Sequence, residues 1–233
     1  MPQQAPQPPA QPTPPPQPVQ SEPVIVLDPA HGGTDTGARG ENGLTEKDVV
    51  LQIARVVREQ LAQKGYRVVL TRDDDSNPSY DDRAGIANGY REVIFISLHV
   101  SSTGTPGTVR AYFDQFSTPV TAQALPAGPP GGKQAPPAQP QSTLVAWQEA
   151  QRPYVDVSHH LADLIQLQLA QSFSGSPSAS SAAPVRTLRS VTAPAVAIEI
   201  SSVASPADAL AGSAALVAAA IARGVSALRP EAK

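Results

Sequence analysis

No cysteine occurs among the 233 residues, which excludes disulfides and thiolate metal sites and leaves imidazole and carboxylate as the strong ligands available. Charge of one sign is also scarce. Seventeen Lys and Arg stand against 20 Asp and Glu, giving a net charge of −3 and a pI of 5.8. That balance implies no strong pull on nucleic acid or on an anionic membrane. No apolar run of about 18 or more residues appears, so no membrane span is expected. The N-terminus has no basic region followed by an apolar one, so no signal peptide is expected in this chain. An exported protein would be represented here by its mature or trimmed form.

Proline, by contrast, is abundant, with 26 residues. Nine of the first 18 residues, MPQQAPQPPAQPTPPPQP, are proline. Such a segment cannot bury a core, and residues 1–22 are expected to form a disordered tether near polyproline II, on the order of 55 Å long over its proline-rich part. It reads as a passive tail or as a ligand for an SH3-like or WW-like partner. Residues 117–142 turn again to Pro, Ala, Gln and Gly, where neither helix nor strand is expected, and are read as an insertion. The rest of 23–230 is long enough for one domain with a sizeable core.

Within that domain, short apolar runs alternate with helical patterns. Strands are predicted over 24–28, 66–70, 93–98 and 108–113, and again near the run ending at Ile198. Helices are predicted over 46–64, 81–89, 144–151, 155–171 and 206–228. The first helix places Val49, Ile53, Val56, Val57 and Leu61 on one face. The helix over 155–171 turns Leu161, Leu164, Ile165 and Leu169 inward, and the last helix turns Leu210, Leu216, Ile221 and Val225 inward. The alternation predicts an α/β fold with a mostly parallel twisted sheet covered by helices on both faces.

Four residues can be read as one metal site: His31 in VIVLDPAHGG, Glu46 in GLTEKDVV, His99 in VIFISLHVSS and Glu199 in APAVAIEISS. Three of the four offer ligands suited to a divalent zinc ion, and the fourth can handle the proton of a bound water. The histidines and Glu199 sit at or just past apolar strands, whose carboxyl ends are where ligands gather in an open α/β sheet. Glu46 opens a helix, with Thr45 as N-cap and Asp48 at the third helical position, where the helix dipole lowers a carboxyl pKa. Taken singly, His31 could be a turn histidine, His99 a core histidine and Glu46 an ordinary first-turn carboxylate. Glu199 has a weak structural explanation, since a buried carboxylate without a partner is costly. Asp28 and Asp35 either orient an imidazole or cap a loop. Arg72 and Arg83 are expected to hold loops by pairing with Asp73, Asp75 or Asp82. His159 and His160, adjacent on a helix, point to different sides and make a poor shared site. Gly32, Gly33 and Gly37 belong to no phosphate-binding motif.

With these residues in place, the chain resembles the zinc-dependent N-acetylmuramoyl-L-alanine amidases of the type-3 family, which trim bacterial peptidoglycan. The matching words, in order, are DPAHGGTDTGA, GLTEKDVVLQIA, GYRVVLTRDDD, DDRAGIAN, FISLH and PAVAIEI. The resemblance implies a six-stranded sheet flanked by helices. It also implies one zinc ion held by His31, Glu46 and His99, with Glu199 as the catalytic carboxylate. The reaction implied is hydrolysis of the amide between N-acetylmuramic acid and the L-alanine of the stem peptide. Ala30, Val100, Ser101, Ile200 and Ser201 depart from the family's usual residues and alter the cleft walls without touching a proposed ligand.

The resemblance further implies peptidoglycan as partner, a periplasmic or extracellular location in the wall compartment, and an activator protein of the kind some periplasmic relatives need. In those relatives an inserted helix covers the zinc. Here LVAWQEAQRP follows the insertion, and its Glu149 is a candidate autoinhibitory residue that could cap the metal; the competing reading packs Trp147 on the domain and leaves Glu149 solvated. A monomer is expected. Two other functions compete: a non-catalytic wall-binding module, and a zinc peptidase acting on stem peptides.

Overall fold

The computed structural model of the chain describes residues 23–40, 43–116 and 146–228. The tether at 1–22 and the insertion at 117–142 lie outside the described residues. Strand β1 (Val24–Pro29) leads into a glycine-rich loop and helix α1 (Glu46–Ala62), followed by β2 (Val68–Leu70), α2 (Tyr80–Asn88), β3 (Val93–Ser101) and β4 (Val109–Asp114). After the insertion come α3 (Val155–Ser172), β5 (Ser181–Ala183), β6 (Ala195–Ser201) and α4 (Ala207–Leu228). The six strands form one sheet in the order β2-β1-β3-β6-β4-β5. Every neighbouring pair is parallel except β4 against β6.

Strand direction explains the site. β1, β3 and β6 lie side by side and run parallel, so their carboxyl ends open on one edge of the sheet. Alternation divides each strand between two cores. Ile25, Leu27, Ile94, Ile96 and Leu98 join Val49, Ile53, Val57 and Leu61 of α1 and the inner faces of α3 and α4. Val24, Val26, Val93 and Phe95 face the other way, onto Ala84 and Ala87 of α2 and onto Leu188 in the 3-10 turn Arg186–Leu188.

Three side chains expected to face inward are not buried, and of these Leu164 is half-buried. Val56 is 36% exposed and Leu216 is 42% exposed, because the helical stripes centre on Ile53/Val57 and on Val217/Ile221 instead. The helix expected over 144–151 is present, within the described residues, only as the 3-10 turn Trp147–Glu149, and a second such turn, Arg152–Tyr154, follows it. Pro153 supplies no backbone N–H and restricts Arg152 before it. Among the described residues α4 is long and apolar enough, by length and composition, to cross a membrane, contrary to the reading of the sequence. It packs on α1 and α3 and buries Leu210, Val217, Ile221 and Val225, as a core helix does.

Candidate metal centre

His31 follows β1 in the left-handed region, with φ of +62°, a conformation that a branched or bulky residue rarely adopts. Gly37 (φ +59°) passes so close that a Cβ there would stand 2.5 Å from Glu46 Oε2 and 2.6 Å from His31 Cδ2. Only glycine lets this loop close over the carboxylate. Glu46 begins α1 behind Thr45, which sits at the N-cap position but makes no side-chain capping bond; its hydroxyl donates to Asp48 instead. His99 is carried on β3.

These three side chains converge. His31 Nε2 is 3.1 Å from Glu46 Oε2, and His99 Nδ1 is 3.0 Å from Glu46 Oε1. One ligand atom from each lies within 4.8 Å of the others. The Ala38 and Val100 backbone N–H groups donate to the same carboxylate at 2.9 and 3.0 Å. Burial pushes the Glu46 carboxyl up, but His31, His99 and the Ala38 N–H together hold it well below the usual carboxylate range. Its hydrogen bond to Glu46, opposed by burial and aided by Asp35, raises His31 to about 9. The expectation of an ionised Glu46 is met, but through the imidazoles and the Ala38 N–H of the loop. Two imidazoles and one ionised carboxylate are a donor set that suits zinc and leaves a position open.

A second layer of groups holds the imidazoles. Asp35 meets both expectations: its Oδ2 contacts His31 Nδ1 at 2.9 Å, and its Oδ1 caps the loop by accepting from the Gly37 N–H at 3.1 Å. Asp28, fully buried, reaches His99 through Ser97: Ser97 Oγ donates to Asp28 Oδ2 at 2.8 Å and lies 3.3 Å from His99 Nε2. The other Asp28 oxygen accepts from Thr71 Oγ1 and Arg83 Nη1, both at 2.6 Å. This buried ion pair was not anticipated. Arg83 pairs with Asp28 and with the carbonyls of Pro78, Pro29 and His31, while Arg72 bonds the carbonyls of Pro29, Ala30, Lys47 and Asp74. The aspartates assigned to these arginines have other partners: Asp73 takes Arg55 and Arg58, Asp75 takes Lys47, and Asp82 closes a capping box with Ser79. A signal for the Ser97 link was present, since residues two apart on a strand share a face.

Glu199 lies beside the group, on the strand next to it. In the parallel register it is the direct partner of His99, and in the antiparallel register that of Arg110. Its side chain is half-buried, and Tyr112 Oη donates to Oε1 at 3.4 Å. Burial, and next the charge of Glu199, pushes the Tyr112 hydroxyl pKa up. Glu149 is outside the group; its exposed carboxylate accepts from Arg152 at 2.9 Å, while Trp147 Nε1 donates to Asp81 at 2.9 Å. His159 is exposed, stacks on Phe113 at 4.1 Å and lies 3.3 Å from Asp163, and His160 is exposed. A cavity of about 400 Å³ opens over His31 and His99, walled by Asn77, Tyr80, Arg83 and Thr187.

The sequence model of the family Amidase_3, N-acetylmuramoyl-L-alanine amidase, matches residues 25–227. The chain belongs to that family. Over 83 residues it is 46% identical to N-acetylmuramoyl-L-alanine amidase AmiA of Escherichia coli, covering 36% of this chain and 29% of that protein. Over 99 residues it is 39% identical to the sporulation-specific N-acetylmuramoyl-L-alanine amidase of Bacillus subtilis, covering 42% of this chain and 38% of that one. The matched segments thus span well under half of these relatives. In three dimensions the chain is similar to amidase AmiC2 of Nostoc punctiforme, with a TM-score of 0.60, 25% identity and coverage of 89% of this chain and 97% of that one. The CwlD amidase of Clostridioides difficile, solved with the GerS lipoprotein, shares the fold at a TM-score of 0.62 and 19% identity, over 89% of this chain and 98% of that one.

Proposed function

We propose that this Amidase_3 chain is a zinc-dependent peptidoglycan amidase that hydrolyses the bond between N-acetylmuramic acid and the L-alanine of the stem peptide. The observation that carries the reading is the convergence of His31, Glu46 and His99 into one ligand group in a chain of this family. His31, Glu46 and His99 would hold one zinc ion, which supplies Lewis acidity toward a carbonyl oxygen and an acidified water.

The chain's own groups account for the rest. Asp35 fixes the His31 ring, and the Asp28–Ser97 relay fixes His99. Glu199, across the strand pair from His99, takes the proton of the attacking water and returns it to the departing alanine nitrogen. Tyr112 holds that carboxylate without neutralising it. The reading places the protein as a monomer in the wall compartment, periplasmic or extracellular, where this substrate is found.

Metal content and sacculus hydrolysis on one sample, comparing wild type with Glu199→Ala, test this directly. Both proteins should bind about one zinc, and only wild type should release intact stem peptides. Zinc binding without cleavage by either protein would reduce the chain to a wall-binding relative, and shortened stems would make it a peptidase.

A further inference from the structure

We infer that a second cavity, beside the ligand group, binds the carboxylate-bearing part of the stem peptide; the inference rests on the amidase reading above. The cavity, of about 470 Å³, is lined by Tyr80, Asp81, Trp147, Arg186 and Arg189 among others. It continues the cleft over His31 and His99. Ser79 and Tyr80 line both, and the turn Arg186–Leu188 places Thr187 in the first and Arg186 in the second.

Its lining carries two guanidinium groups and one carboxylate, and one of the guanidinium groups, that of Arg189, has a buried acidic partner, which leaves Arg186 as its unpaired cation. Arg186 is exposed and sits over the Tyr80 ring, 5.0 Å from its centre, and no carboxylate pairs with it among the described residues. Arg189 Nε lies 3.6 Å from the buried Asp114 Oδ2, with no hydrogen bond to either atom. The single acid of the lining, Asp81, is already engaged by Trp147 Nε1 at 2.9 Å and Ser190 Oγ at 3.5 Å. Trp147 and Tyr80 are 49% and 44% exposed and give the groove two flat walls.

The chemistry of the substrate says which half fits. The scissile amide uses the lactyl carboxyl of the sugar and the N-terminal amine of the peptide. That leaves the sugar side without a free carboxylate and the peptide side with its α-carboxyl and any acidic side chains. A guanidinium held on an aromatic face keeps its donor fork free for a carboxylate and loses little freedom on binding. Arg186 is therefore the residue assigned to receive it, with Trp147 and Tyr80 packing the peptide between.

Trp147, the sole tryptophan of the chain, makes the test optical. Zinc-loaded wild type and Arg186→Gln are titrated with a free stem peptide and with the same peptide amidated at every carboxyl, following tryptophan fluorescence. Wild type should bind the free peptide about tenfold more tightly than the amidated one, the scale of one charge-assisted pair. Arg186→Gln should bind both alike, and Arg186→Lys should retain part of the preference. Equal affinity of wild type for the two peptides, or full preference in Arg186→Gln, overturns the assignment. Sacculus hydrolysis on the same samples separates the two readings. Cleavage without peptide preference removes the groove alone, whereas preference without cleavage removes the amidase and leaves a carboxylate-binding groove.

Discussion

Two carboxylates adjoin His99, one from helix α1 and one from strand β6, and their surroundings differ sharply. Glu46 is 5% exposed and is contacted by two imidazoles and two backbone N–H groups between 2.9 and 3.1 Å. Glu199 is half-buried and, among the described residues, receives one bond of 3.4 Å from Tyr112. A carboxylate that must stay ionised and still is surrounded by donors, which favours the charged form. One that must collect a proton and pass it on has to keep lone pairs and freedom for the task. The difference fits the proposed roles, Glu46 holding and Glu199 transferring, and exchanging the two losses is the largest test of them. Glu199→Gln should lower kcat by roughly two to four orders of magnitude with zinc retained. Glu46→Gln should lose zinc outright, read by metal analysis after dialysis. Loss of zinc in both variants, or in neither, would erase the distinction.

Beneath the ligand half lies a fully buried support that the Glu199 half lacks. Asp28 is 0% and Arg83 3% exposed, and together they bond Thr71, Ser97 and three backbone carbonyls beside the site. Removing one member of a buried pair leaves the other charge uncompensated, at about 3–5 kcal/mol. Asp28→Ala should therefore lose stability of that order in urea unfolding, and Tyr112→Phe should lose far less. An Asp28→Ala protein within about 1 kcal/mol of wild type would mean that Arg83 finds water instead, and that the support is dispensable.

Much of this half was legible in the sequence, for physical reasons. His31, His99 and Glu199 each follow or end an apolar strand, and parallel strands must bring their carboxyl ends to one edge. Glu46 was readable from its place at a helix start. What could not be read was pairing across the fold. Arg83 was matched to nearby aspartates because sequence distance was the only distance available, whereas its partner Asp28 is 55 residues away. Val56 and Leu216 were placed inward because a helical stripe read from spacing alone has an uncertain centre. The short β5, Ser181–Ala183, lies in a serine- and alanine-rich stretch with no strand signal and is a strand only through its pairing with β4.

The ligand half should also respond to pH. His31 is raised to about 9 by Glu46 and Asp35, above the ordinary 6.5. Its pairing therefore stabilises the metal-free fold fully below pH 6.5, and this contribution is lost as pH rises from 6.5 to about 9. Zinc has to displace the same proton. Apparent zinc affinity should thus rise by about tenfold per pH unit through that window, with close to one proton released per zinc at neutral pH, measurable by calorimetry in buffers of different ionisation enthalpy. Affinity that stays flat between pH 6.5 and 9 would show that Glu46 does not hold a proton on His31.

The smallest effect belongs to Tyr112. Burial and the nearby Glu199 charge keep its hydroxyl protonated, so it is a permanent donor to Glu199 Oε1, but at 3.4 Å the bond is weak. Tyr112→Phe should lower kcat by less than about tenfold, the scale of one modest hydrogen bond, and leave zinc content unchanged. If instead Tyr112→Phe falls as far as Glu199→Gln, the transfer half is as tightly organised as the holding half, and the contrast between the two carboxylates lies in their chemistry and not in how firmly each is held.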